Sequence, residues 1–257
     1  MRSALNVAIR GQGPAVVWLH PMGLDLSTWD EVAARFEPHF TVATADLPGH
    51  GRSPVPVEGA GIPEYAAAVK AMLDDLDLVR PVVVGGSFGG MIALTLALDH
   101  PGSVKALVIS ACPHSTPAAD RALVAKRGED GFSGGMASVV EATLTRWFTP
   151  GFRHSATVQE YRRRLLAVDV AGWRAGWRAI STYDVRARLP ELDVPVLCVA
   201  GREDASVPLT VMQEMAREIP DSRITVIDDG PHMLHIEQPG PFSDAIAGFL
   251  TEQTAKA

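Results

Sequence analysis

The chain has 257 residues, 47% of them hydrophobic and 21% charged, enough apolar material for one large globular domain with a full core. Its 23 basic and 30 acidic side chains leave a net charge of −7, which argues against nucleic acid as a partner because such binders carry a basic footprint. Residues 1–14 hold no apolar run of signal-peptide length, and the two cysteines, Cys112 and Cys198, sit in apolar runs and read as reduced, buried thiols, with a disulfide between them as the other reading, so the expectation is a cytoplasmic protein with no membrane partner.

In chain order, the first β-rich run is "AVVWLH" (15–20), which leads into the loop His20-Pro21-Met22-Gly23. Pro21 has no N–H. Met22 is therefore the candidate backbone donor in this loop, with Gly23 relieving crowding behind it. A helical pattern covers about 27–37, a strand pattern 41–47, and a second helical pattern 64–78.

The run "RPVVVGGSFGGMIALTLALDHP" (80–101) has nearly the length of a membrane span. Its glycines and serine divide it, and it reads as a strand over 81–86 followed by a buried helix over 88–100. Gly85-x-Ser87-x-Gly89 at that junction fits a nucleophile elbow. A serine that must leave the sheet and face a substrate needs a sharp strand-to-helix turn. Such a turn strains the serine backbone, and small neighbours avoid clashes. The backbone N–H of Phe88 then opens the helix and points at a developing oxyanion. No lysine follows the glycines, so a phosphate-binding loop fits poorly.

A strand pattern at 104–111 follows, and then the alternation stops. Residues 113–190 read as helices without intervening strands: 118–128, 135–148, 156–168 and 171–189. This segment is expected to be a helical cap inserted into a core formed by 1–112 and 191–257. It carries a net charge of +5 against −12 for the rest, and holds Trp147, Trp173 and Trp177. Trp173 and Trp177 are one helical turn apart. Arg162, Arg163 and Arg164 read as a solvated face.

Alternation resumes with a strand at 194–201, a helix at about 208–219, a strand at 223–229 and a helix at about 238–251. The strand runs are apolar on both faces, so the fold class is α/β: a mostly parallel central sheet with helices on both sides and right-handed crossovers. An elbow serine needs a base oriented by an acid, in the chain order serine, acid, histidine. Asp204 or Glu203 supplies the acid after the 194–201 strand. His232 or His235 supplies the base after the 223–229 strand, with His232 favoured by its place in the loop. A zinc site on the two histidines has no third ligand at suitable spacing.

Taken together, His20-Pro21-Met22-Gly23, "DLPGHGRS" (46–53), "GGSFGG" (85–90), "GREDASVP" (201–208) and "PHMLHIEQP" (231–239) resemble the landmarks of the α/β-hydrolase superfamily over essentially the whole chain. The family spacing between Gly201 and Pro208 favours Asp204 over Glu203. "LTRWFTPGF" (144–152) and residues 178–197 are similar to the 3-oxoadipate enol-lactonase branch, although this chain has H-P-M-G in the oxyanion loop and GGSFGG at the elbow. The elbow is also similar to that of proline iminopeptidases, whose glycine-rich oxyanion loop is absent here.

The resemblance implies a serine hydrolase of a small-molecule ester or lactone. Ser87, His232 and Asp204 form its triad, and Met22 and Phe88 its oxyanion hole. No cofactor or metal is needed. Trp147 and Arg146, in the enol-lactonase-like stretch, are the candidates to contact a substrate bearing a free carboxylate. A hydrolase of C–C bonds in vinylogous diketones would use the same triad, and perhydrolysis is a side reaction open to it. A small-ligand receptor on the same fold is the reading from another class. The intact triad favours an enzyme.

Overall fold

The computed structural model describes residues 5–255. The outermost positions of the 1–14 stretch and of the core segments 1–112 and 191–257 lie outside the described residues. Strands β1 (Val7–Arg10), β2 (Ala15–Leu19) and β3 (Thr41–Ala45) open the fold, with α1 (Asp30–Ala33) between β2 and β3. Next come α2 (Ile62–Asp75), β4 (Val82–Gly86), α3 (Phe88–Asp99) and β5 (Ala106–Ser110). Helices α4 (Arg121–Gly134), α5 (Val140–Trp147), α6 (Ala156–Leu166) and α7 (Val170–Ser181) follow without a strand between them. The chain closes with β6 (Val196–Gly201), α8 (Leu209–Glu218), β7 (Ser222–Ile227), α9 (Leu234–Glu237) and α10 (Pro239–Ala255).

The seven strands form one sheet in the order β1-β3-β2-β4-β5-β6-β7. All neighbours are parallel except β1 and β3. Parallel pairing sends the carboxyl ends of β2, β4 and β6 to one edge, where open α/β sheets carry their sites. The central strands β4, β5 and β6 are buried on both faces. One face packs on α2, α3 and α8. The other face packs Trp18, Trp29, Phe36, Phe242 and Phe249 beneath α1 and α10. Helix α3 is buried all round from Phe88 to Leu98, which explains why it has no amphipathic stripe.

Several local expectations differ from the structure. β1 has no strand pattern in the sequence. It is a four-residue, half-exposed edge strand that exists through its antiparallel pairing with β3. β7 is the opposite edge rather than a strand buried on both faces, and Ile224 is 37% exposed. The helix expected over 27–37 shrinks to a 3₁₀ turn at Leu26–Trp29 followed by α1. Pro38 disfavours helical backbone at the residue before it.

The 171–189 stretch breaks after Ser181. There Thr116 N–H donates to the Tyr183 carbonyl at 2.7 Å and Val185 N–H to the His114 carbonyl at 3.0 Å. These bonds form an isolated bridge between Ser115 and Asp184. The two ends of the helical segment are thereby tied to each other.

Candidate active site

Ser87 follows β4 directly and has φ 49° and ψ −110°. A side-chain-bearing residue holds that conformation only where its surroundings over-determine it. Its N–H donates to the Ser110 carbonyl at 2.8 Å, and its own carbonyl accepts from Gly90 and Met91 at 2.9 and 3.1 Å. A Cβ on Gly85 would lie 2.5 Å from the Gly89 carbonyl oxygen, and one on Gly89 would lie 2.2 Å from that of Leu19. The glycines thus let α3 start against the ends of β2 and β4. The Phe88 N–H, at the first position of α3, has no partner among the described residues.

The loops after β6 and β7 converge on Ser87. His232 Nε2 lies 3.1 Å from Ser87 Oγ. Its Nδ1 lies 2.9 and 3.1 Å from the two carboxylate oxygens of Asp204. Asp204 Oδ1 also accepts from the N–H groups of Ser206 and Val207, at 2.7 and 2.9 Å. That fixes the carboxylate and favours the imidazole tautomer with hydrogen on Nδ1. Asp204 and His232 are buried and Ser87 is half-buried. The two loops are stitched together where Arg202 N–H donates to the Ile227 carbonyl and Glu203 N–H to that of Gly230, at 3.0 and 2.9 Å.

The rivals go elsewhere. The Glu203 side chain is exposed. His235 stacks 4.1 Å from Trp29, with Nε2 3.3 Å from Thr28 Oγ1. Burial, reinforced by the charge of His232, pushes its pKa down to about 3.

At the end of β2, Met22 is buried and lines the same cavity as Ser87. Its N–H has no partner among the described residues. Gly23 has φ +75°, and a Cβ there would meet Trp173 at 2.7 Å. The carboxyl ends of β2, β4 and β6 and the loop after β7 thus bring a serine, an acid, a histidine and free backbone donors to one place.

The family model for the alpha/beta hydrolase fold matches residues 14–239. The chain belongs to the α/β-hydrolase fold family. The hydrolase is 28% identical over 255 residues to 3-oxoadipate enol-lactonase 2 of Acinetobacter baylyi, a match spanning 96% of this chain and 93% of that protein. It is 27% identical to a pimeloyl-[acyl-carrier protein] methyl ester esterase of Vibrio vulnificus, over 97% and 99% of the two chains. A malate-bound thermophilic esterase from Thermogutta terrifontis superposes with a TM-score of 0.92 at 25% identity, covering 97% of this chain and 94% of that one.

Two histidines of the hydrolase were legible only as motif positions. His20 Nδ1 lies 2.8 Å from the Pro21 carbonyl, and its Nε2 accepts from Leu47 N–H at 2.9 Å. His50 Nδ1 lies 3.0 Å from the Pro48 carbonyl, and its Nε2 accepts from Gly23 N–H at 3.2 Å. Each neutral ring donates through one nitrogen and accepts through the other. Together they tie the Met22 loop to the 46–53 loop.

Burial pushes His20 down to about 4. Burial and then the charge of His20 push His50 down to about 3. A histidine held neutral in the fold titrates near 6.5 once unfolded, so acid favours the unfolded chain. The stability these rings confer is complete above about pH 6.5 and drains away as pH falls toward about 4. Thermal melts from about pH 8 to about pH 4 should therefore show Tm falling below about pH 6, with a shallower acid limb in His50→Gln. A flat Tm across that range would contradict it.

A cavity of about 510 Å³ holds Ser87, Met22 and His232 together with Arg127, Arg146 and Trp147. Trp177 also lines it. Trp173 does not: it is fully buried against Gly23, with its indole N–H on the Arg127 carbonyl at 2.9 Å. The triple-arginine face departs from expectation at Arg164. Arg162 and Arg163 pair with Glu141 and Glu160. Arg164 turns inward, stacks on Tyr161 and pairs with Asp25 at 2.8 Å. Among the described residues, no helix is long and apolar enough to cross a membrane.

Proposed function

We propose that the protein cleaves a small carboxylic ester or lactone with Ser87 as nucleophile, His232 as general base and acid, and Asp204 as the group that orients the imidazole. That it is an ester-cleaving hydrolase follows from its family and relatives. The observation that carries the finer reading is the continuous contact from Asp204 through His232 to Ser87 Oγ, at 2.9 and 3.1 Å, opening into one cavity.

Ser87 Oγ attacks the carbonyl carbon while His232 Nε2 takes its proton. The oxygen that becomes negative is held by the N–H groups of Met22 and Phe88. Collapse breaks the bond to the leaving oxygen, which takes the proton from His232. Water, deprotonated by His232, then attacks the acyl-serine and releases the acid. Helices α4 to α7, within residues 113–190, act as the cap over this site, with Arg146 and Trp147 facing substrate. A panel of lactones, enol-lactones and aryl esters compared by kcat/KM tests this reading. Turnover of none of them would refute it.

The substrate class favoured is a lactone or ester with a free carboxylate, such as an enol-lactone. The 113–190 segment is positive while the rest of the chain is negative, so its field draws anions toward the cavity. One relative is named for 3-oxoadipate enol-lactone, and a second binds malate, a dicarboxylate. A carboxylate-bearing lactone should have a higher kcat/KM than its methyl ester, and the gap should shrink as salt screens the attraction. Equal rates at low salt would remove the anionic substrate and leave the triad untouched.

A further inference from the structure

We infer that Arg127, Arg146 and the indole N–H of Trp177 form a single carboxylate subsite in the cavity that holds Ser87, and that this trio sets specificity for a substrate with a carboxylate at the end remote from the scissile bond. This rests on the reading of Ser87 as the nucleophile, takes up Arg146 from the sequence, and adds Arg127 and the Trp177 indole N–H, to which neither the sequence nor the relatives assign a role.

The first observation is two guanidinium groups without acids. Arg127 and Arg146 both line the cavity, and neither guanidinium has an ion-pair partner among the described residues. Arg146 has only a 3.4 Å contact to Thr143 Oγ1. Arg186 lines the same cavity and does pair, with Glu218 at 3.0 Å. Arg164, Arg178 and Arg188 on the same helical segment also have carboxylate partners, at 2.8, 2.7 and 2.6 Å. Burial, followed by the like charge of Arg127, pushes Arg146 down to about 10. Burial lowers Arg127 too, and Asp120 opposes this through space. Two neighbouring cations partly removed from water are unfavourable unless an anion joins them.

The second observation is independent of charge. Trp177 is 9% exposed, lines the cavity, and its Nε1 is buried with no acceptor. Trp173, one turn earlier on α7, satisfies its own indole on the Arg127 carbonyl. A buried N–H left unpaired is unfavourable, and native structures keep few of them. The Arg127 guanidinium lies over the Trp177 ring, 5.0 Å from its centroid. Stacked cation, second cation and unpaired indole thus belong to residues that line one cavity.

The acids that line the cavity leave this trio open. Asp120 is exposed at the start of α4. Glu214 on α8 faces His114 Nε2 at 3.9 Å. A carboxylate has two oxygens and about four acceptor sites, enough for two guanidinium groups and one indole. A primary amide of the same shape offers one acceptor oxygen and brings its own donors.

The test compares mono-4-nitrophenyl adipate with the 4-nitrophenyl ester of adipic acid monoamide, followed by release of 4-nitrophenolate. The wild-type protein should favour the carboxylate by about tenfold or more in kcat/KM. Arg127→Gln and Arg146→Gln should each reduce that ratio by about tenfold. Trp177→Phe keeps the stacked ring, loses only the N–H, and should reduce the ratio by about three- to tenfold, chiefly through KM. Arg127→Lys keeps a charge without the fork and should fall between. Melting curves identify any variant that fails to fold, and Arg127→Lys and Trp177→Phe are the conservative arms.

A wild-type ratio near one, or variants that slow both esters equally, would overturn the subsite while the triad reading stands. Ser87→Ala hydrolysing both esters at the wild-type rate would instead refute the triad. Should the wild-type protein hydrolyse neither ester, adipate titrated against tryptophan fluorescence decides the subsite alone. Saturable quenching lost in Arg127→Gln supports it, and no quenching overturns it.

Discussion

Ser87→Ala is expected to lose at least about 10³-fold in kcat while the protein stays folded. Alanine keeps the Cβ that already tolerates φ 49°, so the elbow neither gains nor loses backbone strain. What disappears is Oγ and its 3.1 Å contact to His232 Nε2. Members of a triad act as a unit, and removing one forfeits most of what the others contribute. The remaining rate comes from binding and from the Met22 and Phe88 donors. Stopped-assay kcat on an aryl ester, with Tm measured on the same preparation, gives the result. Near-wild-type hydrolysis by folded Ser87→Ala would place the nucleophile elsewhere.

His232→Ala and Asp204→Asn should be crippled as well, with His235→Ala far milder in rate. His232 alone contacts both Ser87 and Asp204. Asp204→Asn keeps the shape but offers an amide that can donate to Nδ1, which favours the wrong imidazole tautomer, an error worth about 10⁴-fold in a well-studied triad. His235 packs between Trp29 and Phe242, with ring centroids at 4.1 and 6.2 Å. Its loss should therefore appear in Tm, as a cavity among aromatic rings. Rates are compared well below the lowest Tm of the set. A healthy His232→Ala beside a dead His235→Ala would reverse the assignment.

The fold was legible because its signals are local. Short runs apolar on both faces, alternating with helical spacing, specify a covered parallel sheet. The elbow is local too: Gly85, Ser87 and Gly89 are within one turn of chain, and the clash they avoid follows from backbone geometry. Chain order and loop position favoured His232, and the family spacing favoured Asp204 over Glu203; the structure sets His232 within hydrogen-bonding distance of both Asp204 and Ser87.

Edges and partners were not legible. β1 has only four half-exposed residues, and no period distinguishes it from a loop until β3 lies beside it. Trp173 and Trp177 sit on the same helical turn spacing, yet Trp173 packs on Gly23 while Trp177 lines the cavity. Arg162, Arg163 and Arg164 are consecutive, yet only Arg164 reaches Asp25. Arg127 carried no signal at all, because an unpaired cation is defined by the acids that fail to reach it. By itself, then, the sequence determined the α/β alternation, the strained serine turn and the order of serine, acid and base. Tertiary packing brought the favoured histidine onto the serine, and it alone sorted which tryptophan faces the cavity and which arginines stand without acids. Those choices depend on contacts between residues far apart in the chain, 145 positions for Ser87 and His232, and no local period or propensity encodes them.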